Sequence, residues 1–167
     1  MSIAEITVPT YDQEMRKTRT VLERIPGDKP DYKPHEKSMA MGRLAVHVAR
    51  LPQFAIAILT TPSLDLATAK WPPLIFESRE KLLAGFDALA AEARALLLAA
   101  TDEQLQQKWR LTFGETIIAD EPRVLSYHTY FLNHLIHHRA QLGVYLRLND
   151  LPVPALYGPS ADDRMGF

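Results

Sequence analysis

The chain has 167 residues, of which 47% are hydrophobic and 23% are charged, and its formal net charge at pH 7 is -1. This composition is typical of a soluble globular protein, and mixed charge without a basic patch argues against a nucleic-acid partner. The absence of cysteine excludes disulfides, thiolate metal ligands and a cysteine nucleophile. No apolar run approaches the ~20 residues of a membrane span, and the N-terminus lacks the apolar region of a signal peptide. We therefore expect one cytoplasmic domain over residues 1–167.

The first predicted helix runs roughly from Pro9 to Arg24, where apolar side chains recur with the spacing of an amphipathic helix. Pro26 and Gly27 end it. The next segment, residues 28–37, contains two prolines and is predicted to be an extended loop.

A second predicted helix begins at Ser38, a suitable N-cap residue, and extends to about Leu59. Pro52 lies inside this stretch and should kink or break the helix, because proline lacks the amide hydrogen that an interior turn requires. One stripe of this helix carries Leu44, His47, Leu51, Phe54 and Ile58.

The third predicted helix spans roughly Pro73 to Ala100 and is rich in alanine, leucine, glutamate, lysine and arginine, which are strong helix formers. Thr101 then caps a short helical turn. Apolar and polar residues alternate weakly over residues 109–120, on either side of Gly114. This pattern fits either an irregular segment that crosses the bundle or a short β-hairpin.

The fourth predicted helix opens at Asp120, with Pro122 at an early helical position, and continues to about Leu148. The tail, residues 149–167, contains three prolines and is predicted to be non-helical. Four long amphipathic helices with little strand content predict an all-α fold. We expect a four-helix bundle with a short irregular or hairpin segment before the last helix.

Six histidines are present, and His134 and His138 are four residues apart in the fourth predicted helix. This spacing places both imidazoles on one face of the helix, one turn apart, where they could share a metal ion. The same pair forms the metal-binding half of the H-E-x-x-H motif of metalloproteases. Leu135 stands where that motif has its glutamate, so we exclude a metalloprotease.

His47, His134 and His138 all lie on apolar faces of their predicted helices. Burying an imidazole in an apolar interior costs free energy unless the ring has a polar partner. One divalent ion would be a partner for all three rings, and the interior of a helical bundle is a usual place for such a site. The alternative is that each ring is hydrogen-bonded separately in a metal-free interaction module.

The remaining candidate residues are assigned mainly structural roles. His137 points about 100° away from the next residue around the helix, so we expect it to face solvent or to support a ligand. His128 is predicted to be structural, and His35 lies in the proline-rich loop, where it could cover the mouth of a site. Tyr127 is expected to pack in the core, although it could reach the site. Arg139 is expected to form an ion pair at the surface.

Three segments of the chain resemble one protein family. The run from Asn133 to Leu142 resembles the H-x-x-x-H-R-x-Q element of DinB-like proteins. The run from Leu44 to Ala49 is similar to the second-helix element of that family, and the segment from Pro152 to Ser160 is also typical of it. The resemblance covers nearly the whole chain and implies a four-helix bundle.

This resemblance implies that His47, His134 and His138 hold one divalent metal ion. Zinc, nickel and iron all suit imidazole ligands, so the identity of the ion is open. The family includes thiol-dependent transferases that use bacillithiol or mycothiol, which implies a small-molecule substrate, with a low-molecular-weight thiol as one candidate. The family pattern also implies a homodimer.

Three neutral histidine ligands normally leave a position on the metal ion for water or substrate. The favoured interpretation is therefore a metal-dependent enzyme, namely a thiol-dependent S-transferase. A metal-dependent hydrolase and a non-catalytic, metal-stabilised scaffold protein are the alternatives. The sequence assigns no catalytic residue.

Overall fold

The computed structural model describes residues 1–164. In chain order the elements are α1 (Ile3–Leu22), α2 (Met41–Arg50), α3 (Pro52–Thr60), β1 (Ser63–Asp65), α4 (Arg79–Ala99), α5 (Asp102–Gln106), β2 (Lys108–Phe113), β3 (Thr116–Pro122), α6 (Arg123–Ser126), a π-helical turn (Tyr127–Asn133) and α7 (His134–Arg147). Helices α1, α2, α4 and α7 pack against one another around a hydrophobic core. None of the helices in residues 1–164 combines the length and apolarity needed to cross a membrane.

The all-α prediction is wrong, because the chain also forms a three-stranded sheet in the order β1-β2-β3. β2 and β3 form an antiparallel hairpin around Gly114, whose φ of 58° favours glycine. The hairpin alternative for residues 109–120 is therefore confirmed. β1 adds a parallel strand on the other side of β2. The sheet joins the core because Trp109 and Leu111 are buried on one face of β2.

Helix α1 begins at Ile3, well before the predicted start at Pro9. Ser2 and Glu5 form a capping box, in which the amide of each residue donates to the side chain of the other. Pro9 lies inside the helix and removes one donor from its hydrogen-bond ladder. The Ser-x-x-Glu pattern is thus the start signal of this helix, and it outweighs the proline.

The predicted break at Pro52 is confirmed, since α2 ends at Arg50 and α3 begins at Pro52. The predicted N-cap at Ser38 is wrong, because α2 starts only at Met41 and has no side-chain cap. Backbone carbonyls of the preceding loop accept the first amide hydrogens of α2. A capping side chain is therefore unnecessary at this end.

The last two long helical stretches also start later than predicted. α4 begins at Arg79 instead of Pro73, with Ser78 as its N-cap. α6 begins at Arg123, because residues 120–122, which the sequence places at the helix start, end β3 instead. The π-helical turn and α7 then continue this helix to its end.

Gly42 in α2 marks a close approach between the helix and neighbouring segments. A Cβ at this position would lie 2.8 Å from Cβ of Phe76 and 2.9 Å from Cβ of Pro30. We expect Gly42→Ala to lower the free energy of unfolding by about 1–3 kcal/mol, the typical cost of overpacking. Gly85→Ala in α4 is the matched control, since a Cβ there would have nothing within 4 Å. Urea unfolding measures both, and equal stabilities would contradict the predicted clash.

Candidate metal centre

Three histidines that are distant in sequence converge where α2 packs against α7. His47 lies on α2, His134 begins α7, and His138 follows one turn later. Ring nitrogens of the three residues all lie within 4.8 Å of one another. Nε2 of His47 is 3.3 Å from Nε2 of His134. The structure thus brings together the three residues that the sequence selects as candidate ligands.

The π-helical turn before α7 helps to orient His134. π-Helical turns within longer helices occur frequently at functional sites. This one supplies the carbonyl oxygen of Tyr130, which lies 3.3 Å from Nδ1 of His134. Because a carbonyl oxygen can only accept a hydrogen bond, Nδ1 carries the proton and Nε2 keeps a lone pair.

A side-chain amide orients His138. Oε1 of Gln141 accepts a hydrogen bond from Nδ1 of His138 at 2.7 Å, and Nε2 of Gln141 donates to Nε2 of His137 at 3.2 Å. His138 therefore also keeps its Nε2 lone pair available. A partner on the far ring nitrogen fixes the tautomer and orientation of a metal-ligating histidine. Sequence reasoning missed this role, although the three-residue spacing from His138 to Gln141 is a usable signal.

Burial keeps the three imidazoles neutral. The pKa of His47 is lowered to about 4, mainly by burial and to a smaller extent by electrostatic interactions with His138, His134 and Arg43. Burial is also the main cause of the lowered pKa of His134 and of His138. A neutral imidazole has the lone pair that a metal ion requires. All three rings are therefore in their ligand form at neutral pH.

The donor set fits a divalent transition-metal ion. Imidazole nitrogen suits zinc, nickel, copper and iron, and three histidines form a known ligand set for zinc with an open position. Within residues 1–164 no carboxylate joins the three rings as a potential ligand. The three imidazoles could therefore hold an ion and leave coordination positions for other ligands.

The other three histidines lie outside this group. His137 is exposed, and it touches the group through the side-chain amide of Gln141 and an edge-on ring contact with His138. His128 is half-buried and packs against Tyr127. His35 is exposed in the loop before α2.

Tyr127 is a core residue. Its side chain is buried, and its ring packs edge-on against Phe131. Burial is the main cause of its raised pKa, and the nearby Tyr11 and Asp12 of α1 raise it further. No hydrogen bond or ring contact joins Tyr127 to the three candidate ligands, so the structure gives it no direct part in the centre.

Arg139 is buried and not at the surface, where the sequence analysis places it. Its guanidinium lies 2.6 Å from the Glu14 carboxylate and also donates to Thr18. The hydroxyl of Tyr157 donates to the same carboxylate. Burial alone would raise the pKa of Glu14, but hydrogen bonds from Tyr157 and Arg139 hold it below its usual value. This pair fastens α7, and with it the adjacent His138, to α1.

Solved structures of low sequence identity share this fold. A DinB-like protein from Bacillus cereus ATCC 10987 is 21% identical, with a TM-score of 0.69 over 93% of this chain and 98% of that chain. A DinB-like protein from Bacillus subtilis is 23% identical, with a TM-score of 0.66 over 87% of this chain and 94% of that chain. A protein from Exiguobacterium sibiricum 255-15, described as a member of the DinB family, is 20% identical. Its TM-score is 0.61, over 90% of this chain and 94% of that chain.

Among curated proteins, none matches this sequence. The model of the DinB family, by contrast, matches residues 8–164, which is nearly the whole chain. The resemblance seen in the histidine-containing segments is thereby confirmed, and the chain belongs to the DinB family.

Proposed function

We propose that His47, His134 and His138 bind one divalent metal ion and that the protein is an enzyme acting on a small molecule at that ion. The observation that carries the proposal is the convergence of three neutral imidazoles within 4.8 Å. Tyr130 and Gln141 orient two of them so that their Nε2 lone pairs are available. A purely structural zinc site more often has four protein ligands, so a group of three favours chemistry.

A divalent ion held by these residues would supply a Lewis acid and lower the pKa of a bound water or thiol. The chain supplies no glutamate base of the metalloprotease type, because Leu135 occupies that position. This favours a nucleophile that ionises easily. A thiol has an ordinary pKa of about 8.5, whereas that of bulk water is about 15.7. We therefore propose thiol-dependent S-transfer as the reaction, with zinc, nickel or iron as the ion.

The direct test is elemental analysis of untagged, natively purified protein, because a histidine tag could load nickel during purification. We expect about one divalent ion for the three ligands of each chain. Turnover of a low-molecular-weight thiol with a model electrophile should stop after chelation and return when the metal is restored.

Protein that retains no metal and binds none on titration would contradict the proposal. Metal that raises the melting temperature without any thiol-dependent turnover would support the scaffold alternative. Metal-dependent ester hydrolysis without thiol consumption would support the hydrolase alternative.

Gln141→Leu is expected to weaken metal binding about 10- to 100-fold. Leucine cannot accept the hydrogen bond from Nδ1 of His138, so the ring loses the partner that fixes its tautomer and orientation. Competition with a chromogenic chelator measures the affinity.

Gln141→Glu is the matched control, because its carboxylate keeps an acceptor at the same distance along the side chain. We expect it to retain the metal affinity of the wild type, and the metal-free forms of both variants to melt at similar temperatures. An equal loss of affinity in both variants would show that Gln141 does not act by orienting His138.

A further inference from the structure

A cavity of about 400 Å³ lies beside the histidine group, between the segment that precedes α2 and the exposed side of α7. Of the three candidate ligands, His138 lines this cavity. Its volume lies in the size range of small-molecule binding sites. A molecule in the cavity would therefore have one end at His138 and would approach the proposed metal ion from this side.

Most of the wall is apolar. Met39 and Leu44 line it from the α2 side, and Val144 and Tyr145 line it from α7. The hydroxyl of Tyr145 already donates to the carbonyl oxygen of Met39 at 2.8 Å, so its proton is not available to an anionic ligand. The amide of Gln141, which also lines the cavity, is occupied by its two histidine partners. These walls favour a ligand with a hydrocarbon body.

Two adjacent polar groups of the wall are available to a ligand. Among residues 1–164, the Lys37 ammonium makes no ion pair and the Ser38 hydroxyl makes no hydrogen bond. Their backbone is held in place, because the amide of Lys37 donates to Nδ1 of His35 at 3.2 Å and that of Ser38 donates to the His35 carbonyl at 2.9 Å. A positive charge and a neighbouring hydroxyl donor favour an anion.

We propose that this cavity binds a small organic acid. The carboxylate pairs with Lys37 and Ser38, and a short hydrocarbon body lies against Met39, Leu44 and Val144. The far end of the molecule reaches His138. That the acid is the substrate rests on the proposed function, because the reaction would occur at the metal ion. Binding of the acid in the cavity does not require the ion, so the two proposals can be tested separately.

The first experiment uses metal-free protein and a matched pair of probes, pentanoate and pentan-1-ol. In ¹H–¹⁵N NMR titrations, pentanoate should shift the backbone amide signals of residues 37–39 and 144–145 saturably. We expect it to bind about five- to tenfold more tightly than the alcohol, the gain from one charge-assisted contact that solvent partly screens.

Substitutions at Lys37 then identify the source of this preference. Lys37→Met should bring the ratio of acid to alcohol affinity close to one, and Lys37→Arg should retain it. Lys33→Met is the matched control, since Lys33 is exposed on the same loop but does not line the cavity. A wild-type ratio near one, or a ratio that Lys37→Met leaves unchanged, would overturn the inference.

The second experiment adds Co²⁺ and compares 5-mercaptopentanoate with 5-mercaptopentan-1-ol, using the visible absorption of the loaded protein. We expect the same preference for the acid and the same loss in Lys37→Met. If Co²⁺ does not bind, the proposed metal function fails, while the NMR titrations still decide the cavity proposal. If Co²⁺ binds and acid and alcohol are equal, the cavity proposal fails alone.

Discussion

Arg139→Met is expected to lower the free energy of unfolding by about 3–5 kcal/mol, the typical cost of removing one partner of a buried ion pair. The Arg139 side chain is 1% exposed and that of Glu14 is 4% exposed. Methionine fills a similar volume but leaves the Glu14 carboxylate without its guanidinium partner. Chemical denaturation of the metal-free protein measures this effect without any contribution from metal binding.

Two further variants show whether the loss comes from the buried Glu14 charge, which without Arg139 keeps only Lys17 as an ion-pair partner and the Tyr157 hydroxyl as a donor. In the double variant Glu14→Gln/Arg139→Met the charge is absent, so we expect it to recover a substantial part of the stability. Arg147→Met removes an ion pair with Asp162 on the exposed side of the same helix and should change the stability little. If Arg139→Met lowered the free energy of unfolding as little as Arg147→Met, the ion pair between Arg139 and Glu14 would not be a main stabilising interaction of the fold.

His138→Ala is expected to abolish the thermal stabilisation that a divalent ion gives to the wild type. An ion at 100 times its dissociation constant stabilises a protein by about 2.7 kcal/mol, and a 1,000-fold excess by about 4.1 kcal/mol. The variant keeps two imidazoles, which form a much weaker site. Differential scanning fluorimetry over a series of Zn²⁺ concentrations should therefore show a rising melting temperature for the wild type and a flat one for the variant.

His137→Ala is the matched control, because His137 is the next residue in the same helix and lies outside the group of three. It should retain a metal-dependent rise in melting temperature. Because His137 contacts Gln141, His137→Ala should weaken metal binding less than His138→Ala does. We expect the affinity to fall by less than about tenfold, the lower end of typical losses for groups that support a metal ligand. Equal losses in both variants would contradict the assignment of His138 as the ligand.

The candidate ligands could be predicted from sequence because the signals are local. The spacing of His134 and His138 fixes their common face once the segment is helical. His47 lies in an apolar stripe of its own helix. What brings His47 to the other two is the packing of α2 against α7, and the apolar stripes predict which faces meet. The break at Pro52 was predictable for the same local reason.

The sheet could not be predicted in this way. β1 has three residues, and Ser63 pairs with Arg110, far along the chain. Such a strand is too short to show a periodic pattern, and its hydrogen bonds depend on the hairpin already being in place. The end of β3 was misassigned because Pro122 is equally suited to a helix start, where its missing amide hydrogen costs nothing.

The buried ion pair had a partial signal that the sequence analysis did not use. Glu14 lies three residues after Tyr11 and four before Thr18, and both of those residues are on the buried face of α1. A charged residue in such a stripe requires a partner of opposite charge. That the partner is Arg139, 125 positions away, depends on how α1 meets α7 and is not encoded in either helix alone.

The candidate ligands are far apart along the chain, so an ion bound to them would restrict the unfolded backbone. His47 and His134 are 87 positions apart, so an ion bound as proposed would close a long loop of the backbone. In a chain without cysteine, this is a non-covalent counterpart of a disulfide, and loops of this length carry a large closure entropy. The cross-link would form and open with the concentration of free metal, whereas a disulfide forms by oxidation and opens by reduction. It would slow the separation of α2 from α7, and so it would act on the rate of unfolding as well as on the equilibrium.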